Sequence, residues 1–129
     1  MKHAIFLLIT VLFLCNGCLL SRGPMDKSLE VPHEVVHGGE IRAAILRAAT
    51  QRRWVATEIR PGVIRCVLTQ RKHEIQVDVV YTQDTFSVHY ADSKNMKYSP
   101  RTNWIHRKYN RWASDLKREI LIQLNPQSF

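Results

Sequence analysis

The sequence predicts a two-layer α+β domain, in which two helices pack on one face of a four-stranded antiparallel meander in the order αββββα. Apolar residues recur at helical spacing over residues 39–53, alternate with polar residues in four segments over 54–90, and return to helical spacing over 103–124. The loops between the four alternating segments are short, which favours hairpins and therefore antiparallel pairing.

The first helix is predicted over residues 39–53, directly after Gly38. Five apolar residues recur at the spacing of one buried helix face, namely Ile41, Ala44, Ile45, Ala48 and Ala49. Glu40 lies in the first turn, and Arg52 and Arg53 lie in the last, as the helix dipole favours.

Four strands are predicted over residues 54–59, 62–71, 74–81 and 85–90. The Arg60-Pro61-Gly62 turn separates the first two, because proline fixes φ and glycine permits a positive φ. One face of this sheet is apolar and the other polar, so one face should be covered and the other exposed to solvent. Cys66 lies on the apolar face, which indicates a small core residue rather than a nucleophile.

The alternation also predicts the register of the sheet. Arg65 should face Asp78, Asp78 should face His89, and Glu58 should face Arg65. These pairs would form a row of alternating charge across the solvent-exposed face, at about 0.2–1 kcal/mol for each pair. A slip of one residue would turn the apolar set outward, so the register is a strict test of the prediction.

The second helix is predicted over residues 103–124. Its apolar stripe consists of Ile105, Tyr109, Trp112, Ala113, Leu116, Ile120 and Leu124. We expect Trp112 to be buried between this helix and the sheet. His106 and Asn110 share a flank of the helix beside the stripe, and we expect them to form a structural clamp on the loop at 92–98.

The first residues have the layout of a secretory signal. A basic start is followed by an 11-residue apolar run from Ala4 to Leu14, which only Thr10 interrupts. A membrane-spanning helix needs about 20 apolar residues, so an uncleaved anchor is a weaker interpretation. A zinc site at Cys15 and Cys18 would need two further ligands, and the remaining cysteine, Cys66, is far away in the sequence.

The stretch LCNGCLL at 14–20 resembles the lipobox of bacterial lipoproteins, in which a cysteine after a small residue receives a diacylglyceryl group. Gly17 fits this pattern, whereas Cys15 and Asn16 depart from it. The resemblance implies that Cys18 is lipidated, that residues 1–17 are removed, and that acyl chains hold the protein on a membrane. Several acyl chains bind a membrane durably, whereas one binds marginally.

The remaining sequence is divided into three parts. Residues 18–37 are expected to form the lipidated N-terminus and a flexible tether, because turn-forming residues interrupt any period there. A single domain then occupies 38–124, and 125–129 form a tail. His33 and His37 lie four positions apart in the tether, but this spacing has no fixed geometry before a helix, so no metal site is predicted.

Four stretches resemble a recurring type of small Gram-negative lipoprotein: AATQRRW at 48–54, PGVI at 61–64, DSKNMKY at 92–98 and IHRKYNRW at 105–112. The likeness covers most of residues 31–124. The function of that family is uncharacterised, so the resemblance implies a fold and a location but no reaction. Leu19 rather than aspartate follows the lipidated cysteine, which by resemblance to enteric sorting implies the periplasmic face of the outer membrane.

The charge of the chain is the main indication of function. Nineteen lysines and arginines face 11 aspartates and glutamates, which gives a net charge of +8. We expect contacts with an anionic partner at Arg107, Lys108 and Arg111. The partner would be an anionic lipid, an envelope polymer or an envelope protein. Nucleic acid is not expected, because the signal predicts export.

Enzymatic chemistry is not predicted. The sequence has no glycine-rich phosphate loop, nucleophile elbow or zinc-ligand spacing. We therefore expect a non-enzymatic domain without a metal or cofactor. The alternative is a small envelope hydrolase with a site around His106, Asn110 and the loop at 92–98. A deep cleft lined by His106 and a carboxylate would favour that alternative.

Overall fold

A computed structural model of the protein describes residues 21–35 and 40–125. The predicted signal peptide, Cys18, His37 and Gly38 lie outside the described residues, as does the predicted tail from 126 onward. The described chain is an α+β domain with two α-helices, a five-stranded antiparallel sheet and a separate two-stranded sheet. The α+β class is therefore confirmed, with strands beyond the predicted four.

The strands are β1 (Arg22–Pro24), β2 (His33–Glu34), β3 (Val55–Arg60), β4 (Val63–Gln70), β5 (His73–Tyr81), β6 (Thr85–Lys94) and β7 (Trp104–His106). The helices are α1 (Ile41–Gln51) and α2 (Lys108–Leu124), and a 3-10 turn covers Lys27–Glu30. The larger sheet has the order β2-β6-β5-β4-β3, and β1 pairs with β7. The predicted meander is thus β3 to β6, and β2 adds a fifth strand along β6.

Helix α1 buries the predicted apolar stripe. Its five buried residues are Ile41, Ala44, Ile45, Ala48 and Ala49. Ala44, Ala48 and Ala49 are completely buried, and α1 lies against α2 and close to the sheet. Small side chains on α1 allow close packing of the layers, because alanine adds little bulk between them.

The register between β4, β5 and β6 confirms two of the three predicted pairs. Arg65 faces Asp78, and Asp78 faces His89. The Arg65 guanidinium donates to both carboxylate oxygens of Asp78, at 2.9 and 3.0 Å. This two-point contact suits the planar guanidinium and fixes the pairing of β4 with β5.

The third pair was predicted wrongly by one residue. Thr57 faces Arg65, and Glu58 faces Ile64. The reason is Trp54, which is 5% exposed while Val55 is 70% exposed. Burying the larger ring on the helix side turns alternate residues of β3 inward, so Glu58 lies on that side as well. There it accepts hydrogen bonds from the Nε of Arg42 at 2.8 Å and from the hydroxyl of Tyr81 at 3.1 Å.

The predicted flexible tether is wrong for its described part. Strand β1 pairs with β7, and β2 extends the larger sheet. Between these strands, Met25 and Leu29 are 6% and 3% exposed in the core. The 3-10 turn that carries Leu29 contacts both β6 and α2. Burial of two apolar side chains therefore fixes this segment to the domain.

Helix α2 begins later than predicted, because residues 104–106 form β7 instead of the first helical turn. Its buried residues include Tyr109, Ala113, Leu116 and Ile120. Trp112, which was predicted to be buried, is only partly buried at the edge of the core. Tyr109 is 1% exposed and is the largest fully buried side chain described.

Candidate functional site

One end of the domain collects many of its cations. The β4–β5 turn, the end of β6, β7, the first turn of α2 and the end of α1 meet there. We call this region the basic end. Its cations are Arg52, Arg53, Arg71, Lys72, Lys94, Lys97, Arg107, Lys108 and Arg111. The αββββα order brings these residues together, since alternate turns of a meander lie at the same end of the sheet.

Specific contacts hold the parts of the basic end together. The Nδ1 atom of His73 lies 2.9 Å from the carbonyl oxygen of Asn95, and the side chain of Asn95 donates to the carbonyl of Lys72 at 2.7 Å. The backbone N–H of His106 donates to the carbonyl of Met96 at 2.7 Å. The rings of His73 and His106 lie 5.2 Å apart. The β4–β5 turn, the loop after β6 and β7 therefore form one connected unit.

A concave surface opens between the end of α1, β4 and the start of α2. The first part has a volume of about 410 Å³ and is lined by Arg52, Trp54, Leu68, Gln70, Lys108, Arg111, Trp112 and Asp115. The second has a volume of about 530 Å³ and is lined by Gln70, Arg71, Lys72, His73 and Lys108. Because both share Gln70 and Lys108, we treat them as one feature and call it the basic groove.

The charge of the basic groove is strongly positive. Its lining contains five lysines and arginines against one acid, Asp115. Asp115 accepts a hydrogen bond from Arg118 at 2.7 Å, and Arg118 does not line the groove. Arg52 is paired with Glu119 at 3.2 Å. Lys108, Arg111 and the β4–β5 turn therefore provide most of the uncompensated charge.

The aromatic part of the groove is formed by two tryptophans. Trp54 is buried and Trp112 is partly buried, and both line the groove. The Nζ atom of Lys108 lies 5.8 Å from the centre of the Trp112 ring. A lysine over the face of an indole is held by a cation–π interaction, which positions its ammonium group at the groove.

The structure separates the three cations that were predicted to meet an anionic partner. Lys108 and Arg111 line the groove, whereas Arg107 does not. The backbone N–H of Arg107 donates to the carbonyl of Ser21 at 2.9 Å. A Cβ atom placed on Gly23 would lie 3.9 Å from the side chain of Arg107, so this arginine lies along β1.

Sequence reasoning missed Arg52, Arg71, Lys72 and Trp54 as members of the groove. These residues come from a helix end, a strand turn and the start of a strand. A signal was available, since the predicted αββββα order already places the end of the first helix and the β4–β5 turn at one end of the domain.

The two residues of the predicted clamp, His106 and Asn110, contact different segments, and only His106 is hydrogen-bonded to the 92–98 loop. His106 lies on β7, and its backbone bonds Met96 in the 92–98 loop. Asn110 instead accepts a hydrogen bond from the N–H of Asp26 at 2.8 Å and donates to the carbonyl of Pro24 at 2.9 Å. Because α2 starts at Lys108, Asn110 lies in its first turn and reaches the segment after β1.

His106 has a lowered pKa. Burial is the main cause, and the nearby His73, Lys108 and Lys97 also disfavour its charged form. Its Nδ1 atom accepts a hydrogen bond from the N–H of Lys108 at 3.2 Å, which requires an unprotonated Nδ1. The hydrolase alternative predicted a cleft lined by His106 and a carboxylate, but His106 is not part of the groove lining.

We expect His106 to make stability depend on pH. A folded-state pKa below the ordinary value of about 6.5 means that the unfolded chain binds this proton more readily. Stability is therefore lost as the pH falls through that value, and the loss levels off below the folded-state pKa. His106→Asn should reduce this loss, because the amide oxygen can still accept from Lys108 but does not titrate. The measurement is the urea midpoint as a function of pH.

The matched control for this measurement is His89→Asn. His89 lies on the open face of the sheet, where its Nε2 atom is 2.7 Å from the hydroxyl of Ser87. The control should keep the loss of stability seen in the wild-type protein. A loss of unchanged size in His106→Asn would contradict the role given to His106.

The buried thiol of Cys66 does not line the basic groove. Burial raises the pKa of the Cys66 thiol to about 12, so the sulfur stays protonated in the core. In the part of the chain that the structure describes, no group of three or more histidine, cysteine, aspartate or glutamate side chains is placed to hold a metal ion. Among the same residues, no helix is long and apolar enough to cross a membrane.

The fold and the site define a small α+β domain with a basic groove at one end, lined in part by tryptophan. Comparisons with protein-family models, with curated proteins and with solved structures find no match for the chain.

Proposed function

We propose that this chain is a membrane-anchored lipoprotein of the Gram-negative cell envelope, at the periplasmic face of the outer membrane. Acyl chains on Cys18 form the anchor. The small basic domain is non-enzymatic and binds an anionic envelope component in the basic groove. The observation that carries the proposal is the lining of this groove, with five lysines and arginines against one acid that Arg118 already pairs.

The groove has the chemistry needed to bind phosphate or carboxylate groups. Arg111 presents a planar guanidinium that matches two oxygens of such a group, and Lys108 adds a compact charge beside it. Both residues lie near the start of α2, which has no acidic residue in its first turn. The helix dipole therefore adds positive potential at the same place.

The composition of the groove supports binding rather than a reaction. Its polar lining consists of cations, the imidazole of His73 and the amide of Gln70, and its carboxylate, Asp115, is held by Arg118 at 2.7 Å. Trp54 and Trp112 give an apolar wall against which a ring or chain of a ligand packs.

Binding to a soluble phosphate polymer tests the groove. The double change Lys108→Gln and Arg111→Gln should weaken binding of polyphosphate about tenfold, which corresponds to about 1.4 kcal/mol for two charge contacts. The intrinsic fluorescence of the protein reports binding, because Trp54 and Trp112 line the groove. The lipidated protein is used in neutral detergent micelles.

The matched control removes the same charge from elsewhere. Arg47 donates to the side chain of Gln123 near the end of α2, and Arg60 is the exposed last residue of β3. Arg47→Gln with Arg60→Gln should leave the affinity nearly unchanged. Equal losses in the two double variants would show that net charge alone determines binding and would refute a specific groove.

A further inference from the structure

The described domain starts very close to the proposed anchor. Ser21 lies three positions after Cys18, and Arg22 begins β1. Three extended residues span about 10 Å. If Cys18 carries the acyl chains, as the proposed function requires, Ser21, the residue before β1, lies within roughly that distance of the lipid attachment, and β1 with its partner β7 follows directly.

The two-stranded sheet next to the anchor exposes a tryptophan. Trp104 faces Pro24 across β1 and β7 and is 42% exposed. The other two tryptophans are buried or only partly buried. An indole ring prefers the boundary between lipid headgroups and acyl chains, where its apolar body and its N–H group are both satisfied. The position of Trp104, in the two-stranded sheet that follows the anchor in the sequence, therefore fits a membrane interface.

Cations flank this tryptophan in the sequence. Arg101 and Arg107 are exposed on either side of β7 in the sequence. The Nζ atom of Lys97 lies 3.4 Å from the hydroxyl of Ser21, directly after the anchor region. Near an anionic bilayer, each such charge adds roughly a factor of five to the affinity, so a few of them orient a small domain.

The opposite end of the domain carries the reverse charge. The β3–β4 turn, the β5–β6 turn and the start of α1 meet there, and the side chain of Glu58 joins Arg42 to Tyr81. The acids at this end are Glu34, Glu40, Glu58 and Asp84, and its cations are Arg42 and Arg60. An anionic surface therefore attracts one end of the domain and repels the other.

We propose that the anionic component is the bilayer surface itself. The basic end lies against an anionic phospholipid membrane, with Trp104 at the interface and headgroup phosphates against Lys108 and Arg111. This rests on the proposed function, because the lipid on Cys18 brings the surface into reach. The two contacts belong to neighbouring parts of the basic end, since Arg107 lies along β1 and the next residue in the sequence, Lys108, lines the basic groove.

Tryptophan quenching in vesicles tests this orientation. The full lipidated protein is incorporated into phosphatidylcholine vesicles with and without phosphatidylglycerol, and part of the lipid carries bromine on its acyl chains. Bromine quenches only indole rings that contact the bilayer. We expect quenching in the anionic vesicles, a loss of most of it in Trp104→Phe, and its retention in Trp112→Phe.

Variants that remove positive charge test whether the cations near β7 cause this orientation. Arg101→Gln with Arg107→Gln should reduce quenching in anionic vesicles toward the level in neutral vesicles. Arg47→Gln with Arg60→Gln removes the same charge from residues far from β7 in the sequence and should leave quenching unchanged. Equal quenching in all these proteins, or equal quenching in the neutral and anionic vesicles, would overturn the proposed role of charge.

Flotation separates this inference from the proposed function. Failure of the protein to float with neutral vesicles would refute the acyl anchor. A protein that floats, but whose Trp104 stays open to iodide and is not quenched by brominated lipid, would overturn the membrane-facing surface and leave the anchor intact. If that protein also keeps its affinity for polyphosphate, the groove serves a polymer rather than the bilayer.

Discussion

Tyr109→Ala is expected to lower the free energy of unfolding by about 3–5 kcal/mol, as truncations of large buried aromatic residues do. Tyr109 is 1% exposed, and its ring meets the ring of Tyr90 edge-on at a centroid distance of 5.6 Å. Truncation removes this contact and leaves a cavity between α2 and its neighbours. The change is a large share of the roughly 5–15 kcal/mol typical of a domain. Urea denaturation of the protein measures it.

Trp112→Ala is the natural comparison on the same helix. Trp112 is only partly buried and lines the basic groove. Its truncation should cost about 1–2 kcal/mol, because part of the ring is already in contact with water. If Trp112→Ala proves as destabilising as Tyr109→Ala, the helix has a different buried face from the one described.

Cys18→Ser is expected to abolish lipidation. In the lipoproteins whose lipobox the stretch at 14–20 resembles, the peptidase acts on the diacylglyceryl-cysteine, so on the proposed anchor the variant should remain an uncut precursor without acyl chains. Incorporation of radiolabelled palmitate and the mobility of the protein on a gel measure the two effects together.

Cys15→Ser provides the matched control for the anchor. Cys15 lies in the same apolar stretch, but it falls within residues 1–17, which the proposed cleavage removes. Cys15→Ser should still take up palmitate and be cut. Label that persists in Cys18→Ser and disappears in Cys15→Ser would place the lipid on Cys15 and refute the proposed anchor.

The parts of the fold that were predicted correctly have strong periodic patterns. The α1 stripe recurs over three turns, and only one helix face accommodates it. Strands β4 and β5 alternate over eight and nine residues. Their register follows from burying one face and from the facing charges of Arg65 and Asp78.

The parts of the fold that were missed have apolar patterns that are short, or that place apolar residues equally on both faces. In β3, apolar residues occupy both faces, so the alternation alone does not choose between Val55 and its neighbour Trp54. In the segment before α1, Met25 and Leu29 are isolated apolar residues without a period. The 3-10 turn that carries Leu29 packs against β6 and α2, so the burial of Leu29 is a property of the assembled domain.

The residues of the basic groove also divide into those that the sequence predicted and those that it did not. Lys108 and Arg111 were predicted from the charge of one helix, and both line the groove. Arg71 and Lys72 lie in a turn that looks like an ordinary solvated hairpin in the sequence. They become part of the groove only because the meander returns beside the start of α2.

Closure of the domain by β1 has a consequence for the timing of folding. The hydrogen bond from Asp26 to Asn110 joins residues 84 positions apart, and β1 needs β7 as its partner. Leu29 has no complete binding site until β6 and α2 have formed. Contacts of such long range slow folding, so the exported chain leaves this side chain exposed and needs protection from aggregation until the domain has closed.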